Sequence, residues 1–228
     1  MMFLNSTQVK KIIEYAIESN DGLMDLPSRD LVSLISDSSP APGGGSVAAL
    51  AGALGAALLS MVGSLTHEKK EYLSSREKMN EIGISAQGLM SRLTYLVEED
   101  TKAFNEIMKA NRLPNGTAEQ NRYKERKIAH ANNYGIEIPL QIAKLSLKVI
   151  ELSIELVKHG NPNSVTDSGV AAEVGLAGVR GACMNVLINI SGSKKTEHKK
   201  LKKEIDSIIE KASALHKKAF NDTKKMIN

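Results

Sequence analysis

Between Ser38 and Thr66 the chain carries no charged residue, although 25% of its 228 residues are charged. The stretch reads SSPAPGGGSVAALAGALGAALLSMVGSLT. A run this long and apolar has three fates: a membrane span, a helix buried on all sides, or the wall of a binding site. Its makeup argues against the first. Gly, Ala and Ser dominate, and only the few Leu, Val and Met favour insertion into lipid. No second span and no flanking aromatic belt is evident, so the run is expected in the middle of a helical bundle and no membrane partner is expected. The prolines and glycines of SSPAPGGGS cannot continue a helix, so a loop precedes it, with Ser46 placed to cap the helix. Gly45, Ala49, Gly52, Ala56 and Ser60 recur every three or four residues, a flat stripe that admits another backbone or a flat ligand.

The rest of the chain also reads as helix. Val9, Ile12, Ile13 and Ala16 have helical spacing, as do Leu31, Leu34 and Ile35. A long helix is predicted from about Lys69 to Asn111, broken at Pro114 and Gly116. Thr117 and Gln120 form a capping box for a helix ending near Tyr134. Pro139 fits the start of another, with Ile142, Leu145, Val149, Leu152, Ile154 and Val157 apolar, and HGNPNS ends it. A helix from Ser168 to about Ile190 and a basic last helix after Gly192 complete the pattern. The expectation is an all-α, single-domain helical bundle with a buried Gly/Ala-rich helix and a long helix, residues 26–228, behind an N-terminal helical appendage, residues 1–25. No fixed-period repeat occurs.

Composition limits the chemistry. With three Phe, five Tyr and no Trp, aliphatic side chains must do the packing. Cys183 is the single cysteine, so no disulfide framework exists and a reducing, cytoplasmic setting is expected. The five His lack metal-ligand spacing, and no metal is expected. Lys194–Asn228 holds eleven Lys against five acids. It has no Arg and one aromatic residue, Phe220, so a solvated face or a rim for a small polyanion fits better than a nucleic-acid surface.

Two places put polar groups where apolar ones belong. Leu89, Leu93, Leu96 or Val97, then Asp100, then Phe104, Ile107 and Met108 run unbroken down one side of the long helix. Asp100 therefore faces the core, where desolvation raises a carboxyl's pKa and makes it a proton carrier near neutrality, unless a cation pairs with it. Glu98 and Glu99 are expected in solvent. Near the end, Gly178, Gly181, Asn185 and Asn189 share a stripe. Two amides one turn apart suit a heteroaromatic ligand with alternating donors and acceptors, or bonds between helices. Asp167 reads as a helix cap or a ligand contact.

APGGGSVAALAGALGAALLSMVGSLT, LVEEDTKAF, RLP and GNPNSVTDSGVAAEVGLAGVRGACMNVLINI together resemble the cyclodeaminase domain of formiminotransferase-cyclodeaminase, over roughly Leu31 to Lys218. The same family includes stand-alone methenyltetrahydrofolate cyclohydrolases. The resemblance implies a helical fold, assembly as a homodimer or larger, no permanently bound cofactor, and a tetrahydrofolate derivative, which can carry a polyglutamate tail, as substrate. It implies that Asp100 takes the place of the catalytic carboxylate and that Gly43, Gly44, Gly45 and Ser46 line the folate site. Asp167, Asn185 and Asn189 match shared positions, and a substrate-binding role for them is an inference from their residue types. The anionic tail of folate would meet either the glycine-rich helix start or Lys194, Lys195 and Lys199.

Overall fold

The computed structural model describes residues 22–227. Six α-helices hold most of them: α1 (Ser28–Ile35), α2 (Gly44–His67), α3 (Arg76–Asn111), α4 (Ala118–His159), α5 (Val165–Asn189) and α6 (Thr196–Ile227). Among the described residues no strand occurs, so the fold is all-α as expected. The helix predicted around Val9 lies outside the described residues. Of the appendage, the turn Leu23–Asp25 packs Leu23 and Met24 onto the core. Glu98 Oε1 accepts the Met24 N–H at 3.0 Å.

α2 touches α3, α4 and α5, while α6 lies against α4 and α5. Small residues make this crowding feasible. A Cβ on Gly52 would stand 2.5 Å from Ser146 Oγ and 3.2 Å from Leu93. One on Gly178 would stand 2.6 Å from the same hydroxyl and 3.0 Å from the Ala48 carbonyl. Helices α2, α4 and α5 thus approach to backbone contact, and Ala49, Ala56, Leu59 and Val62 are fully enclosed. Each such side chain removed from water stabilises the fold by about 25 cal/mol per Å² of apolar surface. Gly63 lies by Gly83 and Gly52 by Leu93, so α3 runs antiparallel to α2; Gly55 by Ala171 and Ala48 by Gly181 make α5 antiparallel too. The start of α2, the end of α5 and the middle of α3 therefore meet at one end of the bundle.

The structure corrects the sequence reading in several places. Both α2 and the segment Pro162–Asn189 are long and apolar enough to cross a membrane, whereas the sequence reading saw only the first. About half of each is enclosed by neighbouring helices, 56% and 50%. α3 starts at Arg76 rather than Lys69, because Lys70–Ser75 is a 3₁₀ turn with Tyr72 outside helical geometry. The capping box of α4 forms, Thr117 Oγ1 accepting the Gln120 N–H and Gln120 Oε1 accepting the Thr117 N–H. Yet α4 does not end at Tyr134; it continues through Pro139 to His159. Proline has no N–H for the carbonyl four residues back. That carbonyl, of Gly135, accepts instead from Asn189 Nδ2 at 2.7 Å. A side chain from α5 thus supplies the bond whose loss would have stopped the helix.

Candidate active site

Leu93, Leu96 and Val97 are buried, and the next turn of the same stripe aims Asp100 at the first turn of α2. A Cβ on Gly45 would sit 2.1 Å from Asp100 Oδ1, so the carboxyl fills the space a side chain would need. Ser46, 2% exposed, is not a cap but an inward residue of the helix. Its Oγ lies 3.2 Å from Asp100 Oδ2, 3.0 Å from the Val97 carbonyl and 3.1 Å from Thr101 Oγ1. The Ser46 backbone N–H also favours the charged form of Asp100. Gly43 occupies the cap position, with no side-chain bond to the helix start. Asp100 is therefore an anion set at a helix N-terminus, where uncovered N–H groups and the helix dipole favour negative charge. Burial nevertheless outweighs the Ser46 hydrogen bonds and pushes the Asp100 carboxyl above the usual carboxylate range.

The two asparagines close the same end. A Cβ on Gly44 would lie 3.7 Å from Asn185 Nδ2, and Asn189 reaches Gly135 on α4. Gly43–Ser46, Asp100, Asn185 and Asn189 are thus gathered where α2, α3, α4 and α5 converge. Asp167 is not among them. It stands in the first turn of α5, 18 residues before Asn185 and about 27 Å from it along the helix at 1.5 Å per residue. Nor does it cap that helix, whose cap position is Ser164.

Residues 27–211 match a family model described as formiminotransferase-cyclodeaminase. The chain belongs to that family. A methenyltetrahydrofolate cyclohydrolase of Methylorubrum extorquens is 33% identical over 195 residues, spanning 85% of this chain and 94% of its own. Formimidoyltransferase-cyclodeaminase of Mus musculus is 32% identical over 212 residues, 89% of this chain and 38% of its own length. The crystal structure of formiminotetrahydrofolate cyclodeaminase from Thermotoga maritima shares the fold, with TM-score 0.74 at 24% identity over 90% of this chain and 96% of that one.

Three features of this family member escaped the sequence reading. Glu99 is not in solvent: at 8% exposure it accepts a short hydrogen bond from Tyr134 Oη and pairs with Lys102 Nζ at 2.9 Å. Burial works to raise its pKa, but the bonds from Tyr134, Lys102 and Tyr95 prevail and hold it below the usual range. Burial and then the Glu99 carboxylate push the Tyr134 phenol up. Thr101 joins Ser46 beside Asp100. Finally, a cavity of about 430 Å³ opens at the turn from α5 to α6, next to Asn189, lined by Ser191, Ser193, His198, Lys199 and Lys202. Neither Lys194 nor Lys195 lines it. Tyr134 was visible as a lone aromatic, but nothing in the sequence tied it to Glu99. Among the described residues no group of three His, Cys, Asp or Glu is placed to hold a metal ion.

Proposed function

We propose that the chain is a one-carbon folate enzyme that closes 5-formiminotetrahydrofolate to 5,10-methenyltetrahydrofolate with release of ammonia. The observation that carries this reading is the Asp100 carboxyl, half-buried against Gly45 and raised in pKa, in a chain of this family. N10 attacks the formimino carbon on N5 and loses its proton to Asp100. The tetrahedral centre so formed carries the amino group, which takes that proton back and leaves as ammonia. The N10–carbon bond is made, the carbon–amine bond is broken, and one carboxyl acts first as base and then as acid, help worth about 10²- to 10⁴-fold.

A second reading is methenyltetrahydrofolate cyclohydrolase, favoured by the nearly end-to-end match to the Methylorubrum extorquens protein of that name. Water would add to the methenyl carbon and a carbon–nitrogen bond would open, with the same carboxyl moving the proton. Following the methenyl chromophore by absorbance separates the two. Its appearance from formimino-folate supports the first reading, its loss from methenyl-folate the second, and neither change in a folded sample sinks both.

Two finer points belong to the same proposal. The carboxylates of the substrate's glutamate tail lie toward Lys199, Lys202 and His198, since the helix start named as the other receiver already faces Asp100. And the chain works as a two-fold homodimer through the outer side of α2. Val47, Leu54, Met61 and Leu65 line one face of that helix at 40–54% exposure, and Val170, Met184 and Ile188 extend the apolar surface onto α5. Monomers seldom leave so continuous an apolar strip in water, and a self-complementary strip suits a second copy. If the two α2 helices cross head to tail, the start of one α5 comes level with the end of the other, the arrangement by which Asp167 joins a site. Leu54→Glu with Met61→Glu should convert the dimer to monomer in light scattering. A wild-type monomer at micromolar concentration rules the dimer out.

A further inference from the structure

Asn185 and Asn189 each leave one side-chain atom uncommitted, and it is the same atom. Asn189 Nδ2 donates to the Gly135 carbonyl at 2.7 Å, and Asn185 Nδ2 donates to the Gly181 carbonyl at 2.9 Å. A carbonyl oxygen only accepts, so each partner dictates which way the amide is turned. What remains in both cases is the second N–H of the amide and the carbonyl oxygen Oδ1, to which no described residue donates. The two side chains stand one helical turn apart at the end of the bundle where Asp100 meets α2. Asn189 is exposed and Asn185 half-buried, so a ligand can reach them.

We infer that Asn185 and Asn189 present their two open carbonyl oxygens to a ligand edge made of N–H donors, and that Pro139 fixes Asn189 in that sense. A residue with an N–H at position 139 would close the Gly135 carbonyl within α4. Asn189 could then turn its amide over and offer a donor instead. With proline there, one orientation satisfies the buried carbonyl and the other sets two carbonyl oxygens against each other. The identity of the ligand rests on the folate reading above. In a reduced pterin the donor edge is the ring N3–H and the 2-amino group. A ring presenting acceptors at that edge would leave both asparagine oxygens without a donor, the kind of mismatch by which polar sites discriminate.

A double-mutant cycle of Pro139→Ala and Asn189→Ala tests this, read by thermal midpoint and by the dissociation constant for tetrahydrofolate. With Pro139 present, Asn189→Ala should lower Tm by about 3–6 °C, because the Gly135 carbonyl loses its donor. In the P139A background the same change should cost under about 1 °C, since the restored N–H closes the bond. Tetrahydrofolate binding should weaken about 10-fold in both backgrounds, and Asn189→Asp in the P139A background, which keeps the acceptor, should recover most of it. Equal Tm losses in the two backgrounds overturn the role given to Pro139. Unchanged binding in the double variant, with a parent that binds, overturns the subsite and leaves Asn189 a purely structural bond. A parent that binds no tetrahydrofolate overturns the folate reading itself, while the thermal cycle still judges the link between Pro139 and Asn189.

Discussion

Gly45 and Gly52 lie two turns apart on α2, and neither has room for a side chain, yet the space is taken by opposite kinds of neighbour. At Gly52 the intruders are Leu93 and the Ser146 hydroxyl, in the closed middle of the bundle. At Gly45 the intruder is the Asp100 carboxyl, beside uncovered helix N–H groups and a half-open end. One small-residue stripe therefore does two things. Deep in the molecule it brings helices together, and at the end it brings a titrating group against a helix start. A glycine repeat cannot be assigned to packing or to chemistry until the residue opposite each glycine is known.

The largest effect expected from breaking this contrast is at the acidic side. Asp100→Asn keeps the shape and removes the proton carrier, so turnover should fall about 10²- to 10⁴-fold; steady-state assays that show wild-type kcat would refute the assigned role. The same variant should be the more stable protein at neutral pH. Asp100 titrates higher folded than unfolded, so both states hold the neutral acid below the unfolded value of about 3.9, and the charge weakens the fold above the folded value. Its Tm advantage over the parent should therefore vanish below about pH 4.

Next come the glycines themselves. Gly45→Ala should displace the carboxyl and cut kcat about 10²-fold with little change in Tm. Gly52→Ala overpacks the core at a cost of about 1–3 kcal/mol, lowering Tm by several degrees while the folded fraction keeps kcat within about 3-fold. Calorimetry and kinetics on the same samples would erase the contrast if both variants lost Tm and kcat alike. Reversing charge at the polar end, Lys199→Glu with Lys202→Glu, should raise KM about 10-fold for a tail-bearing folate and leave a tail-less analogue unaffected; equal effects on both would move the tail elsewhere. The smallest effect is at Ser46. Its bond favours the carboxylate, so Ser46→Ala should shift the acid limb of kcat/KM upward. An unmoved limb would remove Ser46 from the proton chemistry.

Local pattern made some of this legible from sequence. The core-facing position of Asp100 followed from an unbroken apolar stripe, and the Thr117 capping box from three-residue spacing, because both are set within a turn or two of helix. What stayed hidden depends on residues far apart in the chain. Pro139 read as a helix start because its missing bond is supplied by Asn189, 50 residues later. Glu99 read as solvated because its partner Tyr134 comes from another helix. Ser46 read as a cap because the glycine that takes that position, Gly43, precedes it without a signalling side chain, and the distance of Asp167 from Asn185 within one chain shows only once both are placed on the same helix.

Glu98, Glu99 and Asp100 follow one another on α3, each turned by about 100° from the last. Each is held by a different neighbour: Met24 of the entering turn, Tyr134 of α4, and Ser46 of α2. A rotation of α3 about its own axis would break all three attachments together. The Asp100 carboxyl is consequently indexed like a spline on a shaft, its bearing toward the start of α2 set by the two acidic residues that precede it.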